Sequence, residues 1–378
     1  MSTVKTVKDR LGDLNLQISL NCFDRSPSRY ATYETGEEPS TLSQRVKSAG
    51  RVRELTGRCS RLTLRAPSDV ARKSDAEKAR EMLEEYGLTP AFMHADLHLP
   101  QKKGLLDHRL MYGALSSPSA EIRVECINYA AAMMDLMRAL GCRTYAIWIP
   151  DGTDTPGQNS IPVMMERILN GLGQIGLKLR KSENLILEFR PFDPYYCCTA
   201  VPDWGTAAWL CRETDPSYKV LLDSACLLPG ESLDSVVTAM LHMDILGCIR
   251  LSDNRLSQGN LPPGSLNAGR LFQFFLNLLQ AESNGLCKIP DLVLEIGTST
   301  RVASPFERVL YSIENIEMAF ARALLVNPDE LSEVQSYPDP VKADRLLNDA
   351  FMADVRPVIR AWREEHELPP DPLEEYRK

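Results

Sequence analysis

Residues 185–188 read LILE, an apolar run that passes directly into the carboxylate of Glu188. The same pattern returns as VLLD, which ends at Asp223, and as LVLE, which ends at Glu295. Short strands that are apolar throughout are typical of parallel sheets covered on both faces. Because catalytic groups of parallel barrels lie at the carboxyl ends of the strands, the three stretches predict an α/β architecture in which three carboxylates converge.

Apolar runs of this kind alternate with longer helical patterns along the whole chain. Eight strands are predicted, at Leu16–Phe23, Leu62–Leu64, Phe92–Leu99, Thr144–Ile149, Asn184–Phe189, Lys219–Leu222, Cys248–Leu251 and Leu292–Ile296. Parallel strands need crossover helices, so eight strand–helix pairs predict a closed (β/α)8 TIM barrel over residues 1–326. Residues 327–378 are predicted to form a C-terminal helical extension that packs on the barrel or on a neighbouring subunit. Its helices are expected near Pro328–Val334 and Val341–Glu364.

The composition excludes several classes of protein. Hydrophobic residues make up 44% of the 378 residues, which is enough for a full core, and the net charge of −8 argues against nucleic-acid binding. No signal-peptide pattern and no stretch of about 18 apolar residues occurs, so we expect a cytoplasmic protein without a membrane span. The ten cysteines lack metal or disulfide spacing and are expected to be reduced thiols.

Polar residues interrupt or follow most of the predicted strands, at the end where TIM barrels place catalytic groups. They are His94, Asp96 and His98 on the third strand, Asp151 after the fourth, Glu188 and Arg190 on the fifth, Asp223 on the sixth, Arg250 and Asp253 on the seventh, and Glu295 on the eighth. A buried carboxylate must be paired, bound to a metal or protonated. The pattern favours one functional cluster, and three unrelated structural salt bridges are the alternative.

Several motifs make the interpretation more specific. They are WIPDGT at 148–153 with PGQ at 156–158, EFRPFDP at 188–194, DWG at 203–205, VLLD at 220–223, MDILG at 243–247 and LPPDPLEEYR at 368–377. In these motifs the chain resembles the bacterial L-rhamnose isomerase family of broad sugar specificity, within the xylose-isomerase-like barrels. The resemblance runs from the fourth strand to the end of the chain and is weaker over the first 90 residues. It implies aldose–ketose isomerisation of a small-molecule sugar, two divalent ions, typically Mn²⁺, and a homotetramer.

The positions that the resemblance assigns to the metals have changed. The first ion would be held by a glutamate, an aspartate, a histidine and an aspartate, which read Glu188, Asp223, Arg250 and Glu295 here. Second-ion positions read Cys226, Gln258 and Asn260, and a lysine of the family reads Arg190. A guanidinium has no lone pair for a cation, so we expect a degenerate site and no metal cofactor. If Mn²⁺ or another divalent cation persists, its ligands would be Glu188, Asp223 and Glu295.

The expected roles follow from this interpretation. Arg250 would hold the three carboxylates together as the ion does in relatives, since it brings positive charge and several planar donors. The predicted catalytic set is His98, Glu188, Arg190, Asp223, Arg250 and Glu295, and the predicted substrate-binding set is Trp148, Asp151, Trp204 and Asp253. The family match favours His98 as a substrate-facing group. His94 is expected to be a core residue, and packing alone is the alternative for the two tryptophans.

Three functions remain open at this stage. The first is a metal-free isomerase or epimerase of a free, L-rhamnose-like sugar, which works through an enediol with Glu188, Glu295 or His98 as base. Arg250 and Arg190 would stabilise the oxyanion in that reaction. The second is a metal-dependent isomerase with one altered site, in which Arg250 swings away. The third is a non-catalytic barrel that binds a sugar or regulates an active paralogue.

Overall fold

Eight parallel strands pair edge to edge and close on themselves, with the first strand also paired to the eighth through Leu16 and Leu292. The computed structural model describes residues 4–23, 41–98, 100–102, 105–191, 196–255, 258–297, 303–337 and 339–378. The barrel strands are β1 Leu16–Ser19, β2 Arg61–Ala66, β3 Thr89–Asp96, β4 Thr144–Trp148, β5 Asn184–Glu188, β6 Lys219–Asp223, β7 Leu246–Leu251 and β8 Leu292–Leu294. The predicted TIM barrel is confirmed.

Helices follow the strands and cover the outside of the barrel, as parallel pairing requires. They are α1 Val4–Arg10, α2 Leu42–Thr56, α3 Lys73–Glu85, α4 Ala120–Leu140, α5 Ile161–Gly176, α6 Trp204–Thr214, α7 Leu233–His242, α8 Ala268–Ser283 and α9 Pro305–Leu325. Side-chain caps mark the starts of several of them. Thr41 and Gln44 form a capping box at α2, and the carboxylate of Asp203 accepts the Thr206 N–H at α6.

The C-terminal extension consists of α10 Pro328–Ser336, α11 Pro340–Met352, α12 Arg356–Glu365 and α13 Pro372–Arg377. The predicted single helix Val341–Glu364 is wrong. Pro357 has no N–H to donate within a helix, so the chain restarts there, and the Asp354 carboxylate accepts the Arg356 N–H at 3.2 Å just before α12. Helices α11, α12 and α13 pack on α9 of the same chain. The domain boundary at residue 326 stays a prediction.

Two layers of side chains fill the barrel, and they determine where the site lies. The lower layer is an apolar cluster separate from the outer core, formed by Ala91, Phe92, Ala146, Ile186, Leu221, Cys248 and Val293. Two positions after six of these residues stand His94, Trp148, Glu188, Asp223, Arg250 and Glu295. Alternate residues of a strand face the same side, so the charged layer sits directly on an apolar floor.

The outer core between the sheet and the helices is apolar and continuous over the described residues. Among those same residues, no helix combines the length and the apolar character that crossing a lipid bilayer would need.

Candidate active site

Arg250 lies at the centre of the charged layer and contacts all three predicted carboxylates. Its Nη1 donates to Glu188 Oε1 at 2.8 Å and lies 3.5 Å from Asp223 Oδ2. Its Nε lies 2.9 Å from Glu295 Oε2, an ion pair whose angle is not that of a hydrogen bond. The side chain is 2% exposed, so these are buried charge pairs. The convergence of Glu188, Asp223 and Glu295 on one point is therefore present, and the point is a guanidinium.

Two further arginines extend the cluster on either side. Arg190 places Nε and Nη2 at 2.8 and 2.7 Å from Glu188 Oε1. Arg65 donates from Nη2 to Glu295 Oε1 at 3.0 Å. Three guanidiniums thus face three carboxylates, and the six groups carry no net charge. This balance explains how so many ionised groups are tolerated on an apolar floor.

The carboxyl groups differ in their electrostatic surroundings. Burial alone would raise the pKa of Glu188, but the guanidiniums of Arg190 and Arg250 outweigh it and hold the pKa well below its usual range. At Glu295 burial would likewise raise the pKa, but the guanidiniums of Arg250 and Arg65 outweigh it and lower the pKa to about 2. At Asp223 the effect of burial is the larger one, because the contact with Arg250 is longer, and the pKa is raised. Glu188 and Glu295 are consequently fixed anions, and Asp223 is the carboxyl most easily protonated.

His94 on β3 joins the cluster through Glu188. Its Nε2 lies 2.7 Å from Glu188 Oε2, and the ring is buried. Burial, together with Arg65, lowers the pKa of His94 to about 4 although Glu188 opposes the shift, so the ring is neutral near pH 7. An ionised carboxylate only accepts, so Nε2 carries the proton and Nδ1 keeps its lone pair. Nδ1 has no hydrogen-bond partner among the described residues.

The predicted residues His98 and Asp151 form a separate buried pair. His98 Nε2 lies 3.2 Å from Asp151 Oδ1, and the His98 ring packs edge-on against Tyr196. The Asp151 carboxylate also accepts the N–H groups of Ala114 and Ser116, both at 2.7 Å. Burial would raise the pKa of Asp151, but the contact with His98 and, after it, the two backbone N–H groups hold that pKa below its usual value. The structure therefore brings His98 to Asp151, and the substrate-binding role predicted for Asp151 stays a prediction.

The other predicted binding residues lie in different places. The Arg190 guanidinium stacks on the Trp148 ring at 4.3 Å, which joins Trp148 to the cluster. Trp204 begins α6 and donates from Nε1 to Glu231 at 3.1 Å. Asp253 accepts the N–H groups of Leu266 and Asn267, which supports the turn before α8. Within the described residues, neither Trp204 nor Asp253 forms a hydrogen bond or an ion pair with the six charged groups.

The donor set does not fit a divalent cation. Each carboxylate that would ligate the first ion already contacts the Arg250 guanidinium. Burial raises the pKa of the Cys226 thiol well above its usual value, so Cys226 is a neutral thiol beside the cluster. No group of three or more histidine, cysteine, aspartate or glutamate side chains among the described residues is arranged to hold a metal. The side chains of Gln258, Asp96 and Gln101 lie outside the described residues.

Arg65 was missed by the sequence reasoning, and His94 was set aside as a core residue. Arg65 follows the short predicted strand Leu62–Leu64 in the way that Glu188 follows its own strand, so a similar but weaker signal was present. It went unused because it lies in the first 90 residues, where the family resemblance is weak.

Comparison with known proteins agrees with this fold. The chain is 26% identical over 353 residues to a probable sugar isomerase of Rhizobium meliloti, covering 93% of this chain and 80% of that protein. A probable sugar isomerase of Mesorhizobium japonicum is 25% identical over 350 residues, with the same coverage. No family model matches the chain.

Solved structures with a similar fold share little sequence with this chain. A xylose isomerase domain protein from Alicyclobacillus acidocaldarius aligns with a TM-score of 0.54 and 15% identity, over 82% of this chain and 99% of that one. D-psicose 3-epimerase from Clostridium cellulolyticum H10 aligns with a TM-score of 0.52 and 11% identity, over 82% and 97%. The chain therefore shares its TIM-barrel fold with these solved structures, and the two similar sequences are those of probable sugar isomerases.

Proposed function

We propose that this chain is a sugar isomerase or epimerase in which Arg250 takes the place of a divalent cation. The observation that carries the proposal is the contact of one buried guanidinium with Glu188, Asp223 and Glu295 together. Without a cation, three like charges at this distance would repel each other. The relatives that are probable sugar isomerases support the reaction class.

Isomerisation through an enediol requires stabilisation of a developing oxyanion. Arg250 Nη2 makes no hydrogen bond within the described residues and is available to a substrate oxygen. Its other nitrogens are held by Glu188 and Glu295, so the donor is already oriented before the substrate arrives. Preorganised donors in a water-poor site are the effective form of oxyanion stabilisation.

The reaction also requires a base, and the geometry favours His94. Glu188 and Glu295 are tied to guanidiniums, which makes them poor proton acceptors. His94 is oriented by Glu188 and keeps its Nδ1 lone pair. The proton on the carbon beside the carbonyl would move to Nδ1 and return to the former carbonyl carbon, and a hydroxyl proton would move between the two oxygens. No oxidant or reductant is needed.

The resemblance to L-rhamnose isomerases favours an L-rhamnose-like substrate. A metal-dependent isomerase would require Arg250 to leave three carboxylates, which the contacts oppose. A non-catalytic sugar-binding or regulatory protein would keep the same cluster but would show no turnover.

The decisive experiment measures metal content and turnover together. Elemental analysis of purified protein, before and after incubation with Mn²⁺, is expected to find no bound metal, and chelators should leave any isomerisation unchanged. The variant Arg250→His restores a possible ligand and should gain Mn²⁺ binding. About one ion per chain in the wild-type protein would refute the replacement of the cation by Arg250. Absence of turnover over a panel of aldoses and ketoses, L-rhamnose included, would leave the non-catalytic function.

A further inference from the structure

The accessible charge of the cluster is not balanced, although its total charge is. The side chains of Glu188, Asp223 and Arg250 are at most 4% exposed, and that of Glu295 is 8% exposed. Arg65 and Arg190 are 22% and 26% exposed. A molecule that enters the barrel therefore meets the two outer guanidiniums before it meets any of the three carboxylates.

Both outer arginines also have donors left over. Arg190 directs Nε and Nη2 to Glu188, and Arg65 directs only Nη2 to Glu295. Arg190 Nη1, Arg65 Nε and Arg65 Nη1 make no hydrogen bond within the described residues. Both side chains are partly exposed, so we take these donors as open to a ligand. An arginine that served only as a counterion would not need unused donors.

Arg190 is held in one orientation by two independent contacts. Glu188 fixes one edge of the guanidinium, and the Trp148 ring covers one face at 4.3 Å. The remaining edge is thus presented as a rigid, planar donor, the geometry that suits carboxylate and phosphate groups. Because the Arg190 side chain is already held in place, binding a ligand costs little of its conformational entropy.

We propose that the substrate of this site is an anionic sugar, whose carboxylate or phosphate ester binds the open edge of Arg190. Arg65 adds a second positive charge at the same mouth. This inference rests on the proposed function for the sugar chemistry and replaces the free sugar by one with an acidic group. The net charge of −8 disfavours the approach of anions in general, so attraction must come from these local guanidiniums.

The proposal is tested by binding, measured by titration calorimetry on the full-length protein. The panel pairs anionic sugars with their neutral parents: D-glucuronate and D-galacturonate as carboxylates, hexose 6-phosphates as phosphate esters, and the free hexoses with L-rhamnose. A charge-assisted hydrogen bond to Arg190 should make an anionic member bind about 10- to 100-fold more tightly than its parent. Preference for uronates or for phosphate esters then identifies the acidic group. If no anionic sugar binds more tightly than its neutral parent, the proposal is overturned.

Matched variants assign the effect to the residue. Arg190→Gln should remove the preference for the anion, and Arg190→Lys should restore only part of it because the planar fork is lost. Arg190→Gln leaves Glu188 with one guanidinium fewer, so the double variant Arg190→Gln/Glu188→Gln keeps the cluster neutral and guards against misfolding. Arg51→Gln, on the exposed face of α2, is the control of equal charge change. An undiminished preference in folded Arg190→Gln protein would also overturn the proposal.

The two proposals fail in different ways. Binding of an anionic sugar without turnover supports the anion site and refutes the isomerase. Turnover of a neutral sugar without preference for its anionic form supports the isomerase and refutes the anion site.

Discussion

Among the described residues, two buried networks of arginine and glutamate differ in how their guanidinium donors are used. Outside the barrel, Arg58 donates to Glu317 at 3.0 Å and to the carbonyl oxygens of Leu14 and Leu11 at 3.0 and 2.8 Å, and it stacks on Trp362. Inside the barrel, Arg190 directs two nitrogens to one oxygen of Glu188 and leaves the third open. Each nitrogen of the Arg58 guanidinium donates within the protein, whereas Nη1 of Arg190 makes no hydrogen bond within the described residues.

Donor use separates the proposed binding site around Arg190 from the structural ion pair of Arg58. Both networks are largely buried, and both tie elements that are far apart in the chain. The Arg58 network joins the start of the barrel to α9 and, through Arg363, to α12. Unused donors on partly exposed guanidiniums, rather than burial or charge, are the feature for which we propose the barrel mouth as the functional region.

The largest expected effect tests the structural side of this comparison. Arg58→Met leaves Glu317 with Arg363 as its partner and removes two bonds to backbone carbonyls, so the free energy of unfolding should fall by roughly 3–5 kcal/mol. Denaturant unfolding measures it. The affinity for whichever sugar binds in the calorimetric panel should not change in the folded variant. A loss of stability below about 1 kcal/mol would mean that the Arg58 network is not structural in this sense.

The next effect concerns pH and His94. The folded-state pKa of about 4 lies below the ordinary value of 6.5, so between these values the unfolded chain binds more protons. Stability should therefore fall as the pH drops from 6.5 towards 4, by up to about 3 kcal/mol from this group. Glu295, with its pKa of about 2, adds a further loss as the pH falls from about 4.5 towards 2.

The variant His94→Gln should flatten the pH dependence of unfolding between 6.5 and 4, measured by denaturant titration at each pH. His108→Gln is the control, because His108 is 88% exposed. An unchanged slope in His94→Gln would show that the buried ring does not titrate as described, and the role of His94 as base would lose its support.

A smaller effect is expected from the stacking partner of Arg190. Trp148→Leu keeps an apolar side chain but removes the ring face, and a cation–π contact is worth roughly 1 kcal/mol at a partly exposed site. The affinity for an anionic sugar should drop about fivefold to tenfold, and Trp148→Phe should recover part of it. Equal affinities in all three proteins would show that the ring does not position Arg190.

The smallest effect calibrates the others. Arg51 and Glu54 form a pair at 3.1 Å on α2, and both side chains are about half exposed. Arg51→Gln should change the free energy of unfolding by about 0.5 kcal/mol or less, since exposed pairs are screened by water. A larger change would mean that exposed ion pairs also contribute substantially to the free energy of unfolding of this protein.

The order of strands and helices could be predicted from the sequence because it depends on local patterns. Apolar runs with inward residues two apart specify the barrel and bring Glu188, Asp223, Arg250 and Glu295 to one layer. The C-terminal helices were less predictable. Their apolar spacing predicts one long helix. The helix is divided at Pro357, with the Asp354 carboxylate bonded to the Arg356 N–H at the break.

The barrel and the position of Arg250 among the three carboxylates follow from the sequence, because strand period and strand order are properties of the chain. The pairing of the charges and the donors that stay open depend on the folded arrangement. Arg65 reaches Glu295 across 230 residues, and His94 reaches Glu188 across 94. Such pairs depend on closure of the sheet, and the exposure of each guanidinium depends on what packs around it. Neither the pairing of the charges nor the exposure of a guanidinium can be predicted from a local pattern of residues.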